Sequence, residues 1–83
     1  MQDIFESIHT NDIQSLVDFI KNGQDINKTQ TNITPLQYAV LLGNLGITLL
    51  LIECGARYDS GELITFAYEN DQETIAEALK LII

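Results

Sequence analysis

The stretch Thr34-Pro35-Leu36-Gln37-Tyr38-Ala39-Val40-Leu41-Leu42 decides the fold. Threonine suits a helix N-cap, where its side-chain oxygen accepts a backbone N–H that has no partner within the helix. Proline suits the first helical position, where a missing N–H costs nothing. The segment therefore predicts a short helix opening at Thr34. Behind it, residues 43–55 run from a turn residue to a glycine, with Ile47, Leu50 and Leu51 on 3.6-residue spacing. Gly55 stands where a helix-terminating C′ glycine belongs.

The same pattern recurs on both sides. Residues 11–23 place Ile13, Leu16, Val17, Phe19 and Ile20 on helical spacing and end at Gly23, 32 positions before Gly55. A third copy starts at Asp71 and reaches Lys80 without a closing glycine. Each of these helices is preceded by a shorter one, over 2–9, 34–42 and 61–70, the last with Ser60 as cap. The expectation is six short helices in three antiparallel pairs, forming one domain divided at 1–27, 28–59 and 60–83. The core is expected to stack Ile4, Ile8, Leu16, Phe19, Leu36, Ala39, Ile47, Leu50, Leu51, Ile64, Ala67, Ile75 and Leu79.

Composition limits the function classes. Apolar residues make up 46% of the 83, against 19% charged, which is globular rather than disordered. Four Lys and Arg face twelve Asp and Glu, a net charge of −8. That balance argues against nucleic acid and anionic membranes as ligands, since both need clustered cations. It favours a basic protein partner, or simply solubility. The single cysteine, Cys54, excludes an internal disulfide framework. Asp3 and Glu6 stand where a signal peptide needs positive charge. The most apolar stretch, residues 39–52, is broken by Gly43, Asn44, Gly46 and Thr48, and falls short of the ~20 residues that span a bilayer. A soluble, cytoplasmic chain is expected.

Catalysis is not expected. His9 and Cys54 are single copies, too few for a metal site, and Ser7, Ser15 and Ser60 lack an evident base. The five glycines are spread as turn positions and nowhere form a phosphate loop, so no cofactor is implied. Glu69 with Glu73, and Glu73 with Glu77, sit at i, i+4 spacing and read as a solvated acidic face.

Residues 34–40 resemble the T-P-L-H-x-A-A signature of the ankyrin repeat, and the resemblance continues without a gap through Gly43-Asn44 to Gly55-Ala56 and Asp59. Gly23-Gln24-Asp25-Ile26-Asn27 is similar to the family's G-A-D-V-N, and Asn11-Asp12-Ile13 to the G-D-L of N-terminal capping repeats. The resemblance implies an all-α ankyrin-repeat solenoid of two and a half to three repeats with one short finger loop. Departures are visible. The finger over 27–34 is one residue short, Asn32 replaces its glycine, and Gln37 replaces the family's histidine. The second finger, at 59–62, is too short for a hairpin.

In that family, partners bind the concave side made of fingers and first helices. The resemblance thereby implies a finger tip of Thr29, Gln30, Thr31 and Asn32, and exposed positions at His9-Thr10, Leu41-Leu42 and Glu69-Asn70. The expected patch has an apolar centre of Ile33, Leu41 and Leu42 and a rim of His9, Asn32, Glu69 and Glu73. Leu41 is expected to be the more exposed leucine; the alternative is that both fold into the next pair. Val17 and Leu49 form either an apolar stripe for a homodimer or two scattered surface residues. Glu62, Glu69, Asp71, Glu73 and Glu77 crowd the last pair, opposed only by Lys80. The expectation is a non-catalytic binding module, monomer or weak homodimer, acting as a small acidic inhibitor of the immunity or antitoxin kind against a basic partner. The alternatives are an adaptor gripping an apolar segment, or a fragment of a longer array.

Overall fold

The structure is a computed structural model that describes residues 3–83. Its six helices are α1 (Ile4–His9), α2 (Ile13–Lys21), α3 (Pro35–Leu41), α4 (Leu45–Glu53), α5 (Ser60–Glu69) and α6 (Glu73–Ile82). The expected start of the first helix at Gln2 lies outside the described residues. Among those residues there is no strand; one isolated bridge joins Gln30 and Ile33. The fold class is all-α.

Local sequence explains where the helices begin. Asp3, Asp12, Thr34, Asn44 and Asp59 each accept a backbone N–H from three residues on, satisfying a donor that the helix leaves orphaned. Thr34 goes further: Gln37 N–H donates to its Oγ1 at 3.1 Å, and Thr34 N–H donates to Gln37 Oε1 at 3.0 Å, a complete capping box. The cap of α5 is Asp59 rather than Ser60, one residue earlier than expected. A carboxylate at a helix N-terminus gains from the backbone dipoles as well as from the hydrogen bond.

Three-residue turns close the pairs α1–α2, α3–α4 and α5–α6, each packed together, and α1, α3 and α5 pack in a row. The middle residue of every turn is left-handed: Asn11 (φ 57°), Gly43 (φ 72°) and Asp71 (φ 61°). Between the first two pairs the chain makes a longer excursion. Gln30 and Ile33 exchange backbone hydrogen bonds of 2.8 and 3.0 Å around Thr31 and Asn32, both at positive φ, the pattern of a type I′ turn. Between α4 and α5 no such turn forms; the Arg57 N–H instead donates to Asn27 Oδ1 at 2.8 Å, pinning one loop to the next.

The core runs through all three pairs. Leu16, Ala39, Val40, Ile47, Leu51, Ala67, Ala76 and Leu79 are fully shielded. Phe19, Leu50 and Ile64, expected inside, are only partly buried against this cluster, while Val40, Leu63 and Ala76 are buried without having been expected. Helix α4 shows why. It is apolar nearly all round, so spacing does not say which face turns inward. Thr48 is buried, its hydroxyl donating to Asn44 O at 2.8 Å, while Leu49 beside it is 37% exposed.

Candidate protein-binding groove

Helices α1 and α3 and the Gln30–Ile33 turn enclose a groove of about 450 Å3 lined by Asp3, Phe5, Glu6, His9, Gln30, Thr31, Ile33 and Tyr38. On α1, Ile4 and Ile8 face the core, which leaves Phe5 and His9, four residues apart, on the side of the groove. Tyr38 rises from α3 to meet them. Its hydroxyl and His9 Nδ1 lie 2.8 Å apart in a hydrogen bond. The two rings are nearly parallel, 13° apart, with centroids separated by 6.3 Å. Parallel rings joined at their edges by that bond lie side by side, so they form one almost flat wall. Phe5 meets Tyr38 at 5.8 Å and a tilt of 50°. Asp3 and Glu6 add carboxylates to the lining, and none of the chain's four Lys and Arg side chains lines the groove.

The structure brings His9, Gln30 and Ile33 together here, with Thr31 beside them. Thr29 lines a second hollow that shares Asp3, Phe5 and Gln30 with the groove and adds Gln24, Asp25 and Lys28. Asn32 is exposed at the turn without lining the groove. The leucines depart from expectation. Leu42 is the exposed one, at 43%, and Leu41 is half-buried. Leu42, the C-cap of α3, keeps the helical course, with φ −77° and ψ −6° and its N–H bonded to Tyr38 O at 3.0 Å, so continued rotation brings its side chain to solvent rather than into the next pair. Leu41 O accepts a hydrogen bond of 3.1 Å from Gln72 Nε2, fixing that helix end to the last pair. Neither leucine lines the groove, whose apolar surface comes from Phe5, Tyr38 and Ile33 instead.

Glu69 borders a third, open hollow with Glu62, Thr65 and Phe66. Glu73 does not join it. Glu69 ends α5 and Glu73 opens α6, with the left-handed Asp71 between them, so their spacing of four does not place them on one helical face. The pair that does share a helix is Glu73 and Glu77. Glu77 is engaged: Tyr68 Oη donates to its Oε1 at 3.0 Å, and Lys80 Nζ approaches Oε2 at 3.8 Å. Lys80 also sits 5.1 Å above the Tyr68 ring. Tyr68, through its hydroxyl, and then the Glu77 carboxylate raise the Lys80 pKa above its ordinary 10.5.

Phe5 and Tyr38 were not singled out by sequence reasoning. The i, i+4 spacing of Phe5 and His9 was the available signal for one of them. Among the described residues no group of three or more His, Cys, Asp or Glu is placed to hold a metal ion. Among the described residues no helix is long and apolar enough to cross a membrane. Cys54 is the exposed C-cap of α4.

No protein-family model matches the chain, and no curated protein or solved structure matches it.

Proposed function

We propose that this chain is a short ankyrin-type stack, cytoplasmic and non-catalytic, that binds a basic segment of another protein in the groove between α1, α3 and the Gln30–Ile33 turn. The single observation that carries the reading is the groove's make-up: apolar surface from Phe5, Tyr38 and Ile33, the carboxylates of Asp3 and Glu6, and no Lys or Arg. An aromatic centre with a polar rim is the usual anatomy of a protein-binding patch. The excess of carboxylates over the rest of the chain, with a net charge of −8, would steer a cationic partner toward it. The row of first helices, the turn at Thr31-Asn32 and the repeated left-handed positions support the ankyrin part of the reading. In this role the protein acts by occupying a basic surface and denying it to other ligands, as a small inhibitor does.

Selection from a library of displayed random peptides tests the proposal. Enriched peptides are expected to carry Lys or Arg next to apolar residues, to weaken with rising salt, and to fail against Tyr38→Ala. Enrichment of acidic peptides, or peptides that bind Tyr38→Ala as well as the wild type, would overturn it.

A further inference from the structure

We propose that the groove's anchor site takes an arginine side chain, its guanidinium laid against the Tyr38–His9 wall and Phe5 and held by the carboxylates of Glu6 and Asp3. The inference rests on the binding reading above and specifies what that site recognises. Three observations lead to it.

The first is shape. Tyr38 and His9 present a nearly flat surface because their rings lie 13° from parallel and are joined by the 2.8 Å hydrogen bond. Phe5, tilted 50° to Tyr38, closes one side. A planar, delocalised and weakly hydrated guanidinium stacks on such a wall; a compact, strongly hydrated ammonium gains less. The second is charge. Asp3 Oδ1 accepts the Glu6 N–H at 2.8 Å, which fixes that carboxylate at the start of α1. Glu6 is exposed beside it. Two carboxylates at the edge of an aromatic wall suit the forked donors of arginine.

The third observation is a parallel inside the same molecule. On α5 and α6 the chain sets its own Lys80 over the Tyr68 ring, 5.1 Å from the centroid, with Glu77 alongside. The groove holds the same two residue types, Tyr38 and Glu6, with the Tyr38 hydroxyl bonded to His9 rather than to a carboxylate, and no Lys or Arg of the chain lines it. A cation from a partner completes it.

The full-length 15N-labelled protein should be titrated with N-acetyl-arginine amide and with its neutral isostere, N-acetyl-citrulline amide. Saturable shifts centred on Phe5, His9 and Tyr38 are expected for arginine and none for citrulline. Glu6→Gln, an exposed change that leaves the core untouched, and Tyr38→Ala should each weaken binding about fivefold. Equal responses to arginine and citrulline, or shifts unaffected by Glu6→Gln, would sink the proposal. The same comparison on a selected basic peptide separates the two readings. If Arg→Lys throughout the peptide costs no affinity, the arginine anchor falls and the groove remains a site for basic segments. If no basic peptide binds the groove at all, both fall.

Discussion

The side-chain amide of Asn44 donates to Asn11 Oδ1 at 2.8 Å while its own Oδ1 accepts the Ile47 N–H at 3.0 Å. One residue thus caps α4 and ties the second helix pair to the turn of the first. Because the second pair packs on the first through α1 and α3, such a tie couples the two pairs. Asn44→Ala should cost about 1–2 kcal/mol, combining the lost cap with the lost bridge. Asn11→Gly keeps the left-handed backbone at φ 57° and removes only the bridge, so it should cost less. Urea unfolding of the two variants and of the double variant checks this. A coupling of about 0.5–1 kcal/mol in the double-mutant cycle is expected, and strict additivity would show that the bridge contributes nothing.

Two glycines three residues apart should respond with opposite signs. Gly43 has φ +72°, and a Cβ there would meet the Gln72 carboxamide oxygen at 3.0 Å. That carboxamide also holds Leu41 O, so it cannot retreat without loosening α3 from the last pair. Gly43→Ala should destabilise by about 1–2 kcal/mol from the left-handed backbone alone. Gly46 lies within α4, where a Cβ meets nothing closer than 3.5 Å. Gly46→Ala should stabilise by about 0.5 kcal/mol, through the reduced entropy of the unfolded chain. Thermal midpoints of both variants give the answer.

The helical pairs were legible because their signals are local: Thr34-Pro35, the apolar spacing in 13–20, and glycines at 23 and 55. Left-handed turns were half visible. Gly43 announces one, but Asn11 and Asp71 adopt the same conformation without glycine and are found only by alignment of the three turns. Two things were hidden. The all-round apolar α4 gives no facing, so Thr48 inside and Leu49 outside could not be read. The aromatic wall needs Tyr38 to meet Phe5 and His9 from 29 or more residues away, and spacing within one helix says nothing of such a meeting.

Thr31 carries a β-branched side chain at φ 55°. Asn32, its neighbour in the turn, has φ 63° and is a residue type that tolerates this region. Thr31→Asn should therefore stabilise by about 0.5–1 kcal/mol, since the left-handed conformation penalises an ordinary L-residue by about 1–2 kcal/mol. Thr31→Val should do the reverse or leave stability unchanged. If Thr31→Asn destabilises, the threonine hydroxyl makes a contribution that the turn geometry does not reveal. Denaturant midpoints at constant m-value decide.

The Tyr68–Glu77–Lys80 cluster predicts a pH dependence with a definite sign. Lys80 has a raised pKa in the folded chain relative to its ordinary 10.5. A cation favoured by folding contributes fully below its unfolded pKa, and the contribution fades as pH rises through the folded value. Comparing the wild type with Lys80→Met, the wild type should melt higher at pH 9, and the gap should close progressively above pH 10.5. Because Lys80 and Glu77 are both exposed, added salt at pH 9 should narrow the gap as well. A gap that persists unchanged in alkaline solution would mean that Lys80 acts through its aliphatic stem against Tyr68 rather than through its charge.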